Sequence, residues 1–291
     1  MNKMLAILLF VTTVLFICGY TVIDRANKDG VDKHFFTIKE TYNLFNDENL
    51  IISVYDNQND TLIVYAYKAD AYLMSMDESV VCKVKVESVV LNQQVLFEED
   101  LYNEYQLVLS LDVNELSIEN AILRLEYPNQ EVRLHVGDVN YLERPKEKLS
   151  GIRGLYGLTF NDPFLSIGGI VLTIENSTDS EMLISDVRIG SNHGISIEVL
   201  ESFNPDTTEI RDVCDYQYNF QTSNTEVKIA ANTTKTLLFK LIYDDATLLR
   251  FTPIILNVND DICYIDTFNY VISNDLSNFK SLIYEGYIYE F

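Results

Sequence analysis

The sequence predicts an all-β protein with two tandem antiparallel β-sandwich domains of the immunoglobulin-like kind, placed after an N-terminal transmembrane helix. Apolar and polar residues alternate with a period of two from about residue 48 onward, and no later segment has the 3.6-residue stripe of an amphipathic helix. An apolar run at residues 4–23 is long enough to span a bilayer. A charge-dense stretch at residues 143–151 separates two halves with similar patterns.

The N-terminal run, MLAILLFVTTVLFICGYTVI, contains no charged side chain. About 20 such residues cross the hydrocarbon core as one helix, so residues 1–31 are interpreted as an uncleaved signal anchor with a short tether. A lipoprotein signal through Cys18 is the second choice, because the bulky Ile17 precedes the cysteine. A cleaved signal peptide is third, because the run lacks an A-x-A cleavage site. The membrane is therefore an expected partner through residues 4–23.

The orientation of this anchor is predicted from its flanks. Lys3 lies on one side, and Arg25, Lys28 and Lys33 lie on the other. The positive-inside rule alone favours a cytoplasmic body. The very short first flank, however, is typical of a secretory signal, and the body is poor in lysine. We predict a single-pass protein of the cell membrane with its body outside the cytoplasm.

The composition excludes several classes of protein. The chain has 291 residues, enough for about two domains. It is 47% hydrophobic, with 19 Tyr and 15 Phe, so it can bury a core and is not disordered. Its net charge of −23 repels phosphate backbones, which excludes nucleic acid as a partner. Four cysteines are too few for a disulfide framework. Cys82 is predicted to be a buried free thiol, and a bridge between Cys214 and Cys263 is left open.

The first domain is predicted to cover residues 32–142. Its strand-like runs are separated by turn-forming clusters such as Asp56–Asp60. Short strands at this spacing are typical of a sandwich or a barrel. The predicted runs are Leu50–Tyr55, Thr61–Tyr67, Ser79–Leu91, Tyr105–Leu111, Ala121–Tyr127 and Glu131–Val136.

Residues 143–151 are predicted to be a linker, and residues 152–291 a second β-sandwich domain. The strand patterns of the second half resemble those of the first, which indicates an internal repeat. The last run, LIYEGYIYEF at Leu282–Phe291, is expected to be an ordered strand of the second domain rather than a frayed tail. The alternative is a strand that pairs with a sheet edge of a partner. The other predicted runs are Ile170–Asp179, Met182–Ile189, Val213–Phe220, Thr236–Tyr243 and Ile254–Tyr270.

No residue is predicted to be catalytic, to bind a cofactor or to bind a metal. The three histidines are isolated, without the spacing of metal ligands. His34 follows the anchor, His193 lies in a turn, and His135 shares a face with Glu131 and Arg133, which predicts that it points to solvent.

Two short patterns are too weak to assign chemistry. Ser277–Lys280 matches S-x-x-K but lacks the companion motifs of penicillin-binding enzymes. The acidic turns at Asp56–Asp60 and Asn259–Asp261 offer oxygens to calcium, but neither has the glycine and the closing glutamate of an EF-hand loop. We interpret both as hairpin turns.

The leading functional hypothesis is a surface-displayed, non-enzymatic binding or scaffolding protein whose loops contact a protein or glycan partner of unknown identity. One alternative is an anchored hydrolase acting on surface polysaccharide or peptide, because carboxylates are plentiful. Another alternative is an envelope assembly factor that handles the strands of other proteins.

Overall fold

The computed structural model describes residues 35–57, 62–159, 167–189, 195–200, 221–222, 226–243, 248–269 and 276–290. These residues are almost entirely strands, which confirms the all-β class. The predicted anchor at residues 4–23 lies outside them. Within the described ranges, no helix is long and apolar enough to cross a membrane.

The described residues of the first half form eight strands and one short 3-10 helix, Leu62–Lys68. β5 and β6 form a long hairpin whose turn residues, Glu98 and Glu99, both have positive φ angles of 47° and 75°. Such a pair of left-handed residues gives a two-residue turn that matches the strand twist. The strands are β1 Phe35–Ile38, β2 Glu40–Phe45, β3 Leu50–Asp56, β4 Asp70–Met74, β5 Val81–Phe97, β6 Asp100–Ser110, β7 Leu116–Tyr127 and β8 Gln130–Leu142.

The second half begins with a two-residue strand and ends with a second 3-10 helix, Ser277–Leu282, followed by two short strands. The first ten strands are β9 Glu147–Lys148, β10 Ile152–Thr159, β11 Ile167–Asn176, β12 Met182–Ile189, β13 Ile195–Leu200, β14 Gln221–Thr222, β15 Val227–Ile229, β16 Thr233–Tyr243, β17 Leu248–Val258 and β18 Asp261–Asn269. The last two are β19 Ile283–Glu285 and β20 Tyr287–Glu290.

The sheet of the first half closes on itself. Its strand order is β8-β7-β4-β5-β6-β3-β1, and β2, which continues β1 after Lys39, pairs in parallel with β8. The inward faces form one hydrophobic core, because alternate residues of each strand point to the same side. Members of this core with almost no exposure are Leu44, Ile52, Leu73, Leu107, Leu123 and Leu134.

The second half builds its core between two sheets. One has the strand order β10-β11-β16-β13-β14, and the other contains β15, β12, β17 and β18. Both sheets contribute buried side chains to a single cluster, separate from that of the first half. The cluster includes Ile170, Leu172, Leu237 and Phe239 from one sheet and Ile184, Ile254, Leu256 and Ile265 from the other.

Within the described residues, three ladders connect the two halves. β2 pairs in parallel with β17, β1 pairs antiparallel with β19, and β8 pairs antiparallel with β20. The strand path therefore runs continuously from one half into the other. Two tandem immunoglobulin-like sandwiches are not confirmed by this pairing, and the domain boundaries stay a prediction.

The run at Thr61–Tyr67 was predicted as a strand, and this prediction is wrong for its described part. Leu62–Lys68 is a 3-10 helix. Ile63 and Ala66 are both fully buried, and a repeat of three residues per turn places them on one side, whereas a strand would put them on opposite faces. Met182–Ile189, the matching run of the second half, is a strand, so the proposed repeat does not extend to this pair.

The cysteines are partly as predicted. In β5, Val84 and Val86 are buried while Lys83 and Lys85 are exposed, as the alternation indicates. Cys82 lies on the buried face but is only half-buried, because it is near the start of the strand; burial still raises the pKa of its thiol. Cys263 is a buried free thiol. Cys214 and the run Val213–Phe220 lie outside the described residues.

Gly137 of β8 allows the close approach of β2. Its φ angle is +103°, a conformation that side chains rarely adopt, and a Cβ atom there would overlap the backbone of Glu40, its ladder partner. Glycine tolerates both constraints because it lacks a Cβ. The closure of the first sheet therefore depends on this residue.

We expect Gly137→Ala to lower the free energy of unfolding by about 3 kcal/mol or more, because it combines backbone strain with overlap. Chemical denaturation monitored by circular dichroism measures the change. Gly154→Ala is the matched control, since a Cβ there would be 3.7 Å from Thr173, an ordinary contact distance. Equal effects of the two substitutions would contradict the close approach of β2.

Candidate functional site

A groove of about 1000 Å³ lies between the two halves, where the chain leaves β8. Leu116 and Leu142 contribute apolar surface from the first half, and Ile255 and Ile262 contribute it from the second. Ile262 is 51% exposed. The charged lining consists of Glu115, Glu143, Arg144, Lys146, Glu147, Arg188 and Asp261. The groove thus combines apolar contact surface with charges of both signs.

Arg144 fixes one wall of this groove. Its Nε lies 3.0 Å from both carboxylate oxygens of Asp47, and its Nη2 lies 2.8 Å from Asp47 Oδ1 and 3.2 Å from Glu48 Oε1. The guanidinium carbon is 4.3 Å from the ring centroid of Phe45 and 5.2 Å from that of Tyr264. Forked hydrogen bonds and aromatic stacking are the contacts for which arginine is suited. One side chain thereby joins the end of β2, the turn after it and β18.

The charges of this cluster stabilise each other. Burial disfavours the charged form of Arg144, but its contacts with Asp47 and Tyr264 outweigh this and raise the pKa of the guanidinium. The hydrogen bond from Arg144 in turn holds the pKa of the Asp47 carboxyl below its usual value. Both groups are therefore ionised at neutral pH. Because protein groups already satisfy much of the Arg144 charge, its role here is to hold the wall in place.

The predicted linker, residues 143–151, packs against the second half. Glu147 and Lys148 form β9 and pair with Cys263 and Tyr264 of β18. The Leu149 N–H donates to the Tyr264 carbonyl at 2.8 Å, and the Leu149 side chain is buried in the core of the second half. A strand of two residues has no periodic signal, so the sequence could not predict it. The stretch forms a groove wall because this pairing anchors it.

Arg188 of β12 lines the groove from the opposite half. The register of β12 against β17 shifts between Ser185 and Arg188, and Asp186 has a φ of +48°. Irregularities of this kind re-aim the side chains of a strand. The Arg188 Nε is buried, and no residue of the described chain accepts a hydrogen bond from it. Its Nε–H is therefore an unsatisfied buried donor beside the groove.

A smaller cavity lies beside His135. This residue was predicted to point to solvent, but it is half-buried because Tyr284 of β19 lies against it. The His135 ring stacks on Tyr284, with centroids 5.1 Å apart and planes 25° apart. Burial lowers the pKa of the imidazole. Glu98, Lys280 and Glu285 also line the cavity.

The other sequence candidates do not converge on a site. Ser277–Lys280 forms the second 3-10 helix, and Lys280 is ion-paired with Glu98. Asn259 and Asp260, with φ angles of 50° and 72°, form the hairpin turn between β17 and β18. Within the described residues, no three His, Cys, Asp or Glu side chains are grouped closely enough to hold a metal ion. His34, His193 and Asp60 lie outside that part of the chain.

Comparison with known proteins identifies no family. No family model matches the chain, and no curated protein is significantly similar to it. Among solved structures, the C-terminal domain of the antigen I/II polypeptide BspA of Streptococcus agalactiae is 8% identical, with 79% of this chain and 94% of that chain covered and a TM-score of 0.18. The C-terminal domain of the antigen I/II-family protein AspA of Streptococcus pyogenes is 9% identical, with 80% and 95% covered and a TM-score of 0.18. Similarity this low supports no conclusion about fold or function.

We expect Arg144→Ala to lower the free energy of unfolding by about 1–3 kcal/mol, because it removes charged hydrogen bonds and the stacking on two rings. Arg144→Lys keeps the charge but not the fork, so its effect should be intermediate. Arg153→Ala is the control, since its side chain is 63% exposed and ion-paired at the surface. Urea denaturation of the three variants provides the comparison. If Arg144→Ala is as mild as Arg153→Ala, the cluster does not hold the wall.

The lowered pKa of His135 predicts a loss of stability in acid. The unfolded chain binds a proton near pH 6.5 and the folded chain only at lower pH, so stability falls as the pH drops below about 6.5. We expect the wild type to lose more stability than His135→Gln between about pH 7.5 and pH 5.5. Glu98, Lys280 and Glu285 are common to both proteins, so the difference isolates the imidazole. Parallel pH profiles of thermal unfolding would contradict this prediction.

Proposed function

We propose that the protein is a membrane-anchored, surface-displayed and non-enzymatic binding protein, and that the groove between its halves takes an extended segment of a partner protein. The observation that carries this proposal is the groove itself. Its volume of about 1000 Å³ is at the upper end of the range for ligand sites. Its two walls come from different halves, which Arg144 holds together.

A protein segment fits the lining of this groove. The exposed Ile262 and the half-buried Leu116 and Leu142 offer aliphatic surface that would cover apolar side chains of a partner, at about 25 cal/mol for each Å² removed from water. The Arg188 guanidinium, which lines the groove, would donate to a main-chain carbonyl or a carboxylate. Charges of both signs around the groove favour one register of the bound segment over others.

The placement of the body is part of the same proposal. Residues 1–31 are the anchor and tether, with residues 4–23 in the membrane and the body outside the cytoplasm; lipid attachment through Cys18 is the second choice. Residues 32–142 and 152–291 are two immunoglobulin-like sandwich domains joined at 143–151. The separate cores on either side of residue 142 support this division.

A second candidate, an anchored hydrolase, is supported by the carboxylates in the groove. Glu115, Glu143 and Glu147 lie in its lining, and paired carboxylates are the usual groups of glycoside hydrolysis. An envelope assembly factor is the third candidate. These candidates differ in outcome, because a hydrolase cleaves what it binds.

Selection of a random peptide library on intact cells that carry the full-length protein tests the proposal. Ile262→Asp puts a carboxylate into the apolar wall and should remove the enrichment of bound peptides by about tenfold or more. Val90→Asp is the matched control, because Val90 lies on β5 outside the groove lining and is similarly exposed, at 49% against 51%. It should leave the enrichment unchanged.

Each other result decides between alternatives. Equal loss in both variants, or no enrichment at all, contradicts the groove. Capture on lysed but not on intact cells contradicts the extracytoplasmic body and leaves the groove standing. Binding to a glycan array that Ile262→Asp removes indicates a glycan partner. Cleavage of captured peptides that stops in Glu143→Gln indicates the hydrolase.

A further inference from the structure

Residues 276–290, here called the C-terminal strap, belong to the second half in sequence but lie on the first half in space. The strap consists of the second 3-10 helix, β19 and β20. The run Leu282–Phe291 was predicted to be an ordered strand of the second domain. Its described part is ordered as strands, but its ladder partners are strands of the first half.

The strap completes two ladders that the first half leaves open. β19 pairs with Phe36, Thr37 and Ile38 of β1, whose other neighbour is β3. β20 pairs with residues 130–133 of β8, whose other neighbour is β7. Further bonds run from Lys39 N to Leu282 O at 2.7 Å and from Gly286 N to Phe35 O at 3.1 Å. Without the strap, the β1 and β8 edges would expose unpaired backbone groups.

Side chains of the strap fill pockets on the same surface. Leu276, Phe279 and Leu282 are buried, with exposures of 0%, 0% and 3%, in a cluster that contains Phe36, Tyr55 and Phe97 of the first half and Leu248 of β17. Large apolar side chains contribute about 1.5–3 kcal/mol each when fully buried. Tyr284 stacks on His135, and the Arg133 guanidinium lies 5.3 Å from the ring centroid of Tyr289.

Gly286 sets the register of the strap. It lies between β19 and β20, and a Cβ atom there would overlap the Phe35 ring. No other residue type fits this position without displacing an aromatic side chain of β1. The surface is therefore selective for a strand with a glycine between its two paired segments.

We propose that the first half carries a strand-acceptor site, and that this site also takes the strap of a second copy of the chain. The contacts are identical in the two cases, as in domain swapping. Among the described strands of residues 149–269, none pairs with the strap. Releasing the strap therefore leaves the sheets of the second half intact. At low concentration the acceptor site binds the strap of its own chain, because tethering gives that strap an effective concentration in the millimolar range.

The first test uses a labelled peptide with the sequence of residues 276–290, LSNFKSLIYEGYIYE, and a chain that ends at residue 275. We expect the peptide to bind the truncated chain, seen as a rise in fluorescence anisotropy, and to restore its melting temperature. The same peptide with Gly286→Val should bind about tenfold more weakly or worse. If the truncated chain does not fold alone, it is refolded with each peptide in turn, and recovery with the native peptide only is the expected result.

The second test asks whether a second copy supplies the strap. The truncated chain with one affinity tag is refolded together with the full-length chain with another tag, at a series of concentrations up to about 1 mM. The fraction that purifies together should rise with concentration, and Gly286→Val in the full-length chain should prevent this. The proposal is overturned by failure of the native peptide to bind or rescue, by an unchanged melting temperature after truncation, or by equal binding of the Gly286→Val peptide. A lack of co-purification overturns the exchange between copies.

Discussion

The break between β1 and β2 at Lys39 is the constraint on which both halves depend, because the chain on each side of it joins different ladders. β1 pairs with β3 and β19, and β2 pairs with β8 and β17. All ten residues of β1 and β2 are buried, so their backbone groups need protein partners. The first half supplies only two of these four neighbouring strands. The second half must supply β17 and β19, which is why the two halves share ladders although their main cores are separate.

The sequence predicted individual strands well where one face is buried. Met182–Ile189 has the predicted bounds, and β5 has the predicted faces, because alternation records which side of a strand meets the core. The sequence does not show in the same way which strands pair. β2 lies between β8 and β17, both distant in sequence, and the residues of Glu40–Phe45 do not predict either partner. The solvent-facing prediction for His135 failed for the same reason: Tyr284, which stacks on it, comes from the far end of the chain.

The candidate groove was hidden from the sequence because its key charges lie in a stretch that resembles a solvated linker. Arg144 gains its position from Phe45, Asp47 and Tyr264, which come close only in the folded chain. The direction of the Arg188 side chain depends on the register shift in β12, which the residues of that strand do not predict. The apolar wall at Ile262 follows the alternation of β18, but exposure of that face is a property of the neighbouring sheet. The charge pattern therefore marked residues 143–151 as a distinct segment, but it did not predict that this segment packs against the second half.

The parallel pairing of β2 with β17 has a consequence for synthesis. Residues 40–45 are made about 200 residues before residues 248–251, and at about 5–20 residues per second the delay is on the order of 10 s or more. Ladder contacts so far apart in sequence are slow to form even in a complete chain. Until β17 and the C-terminal strap emerge, the nascent first half has open strand edges that can pair with other chains. The half that is synthesised first therefore completes its ladders only after the second half has been synthesised.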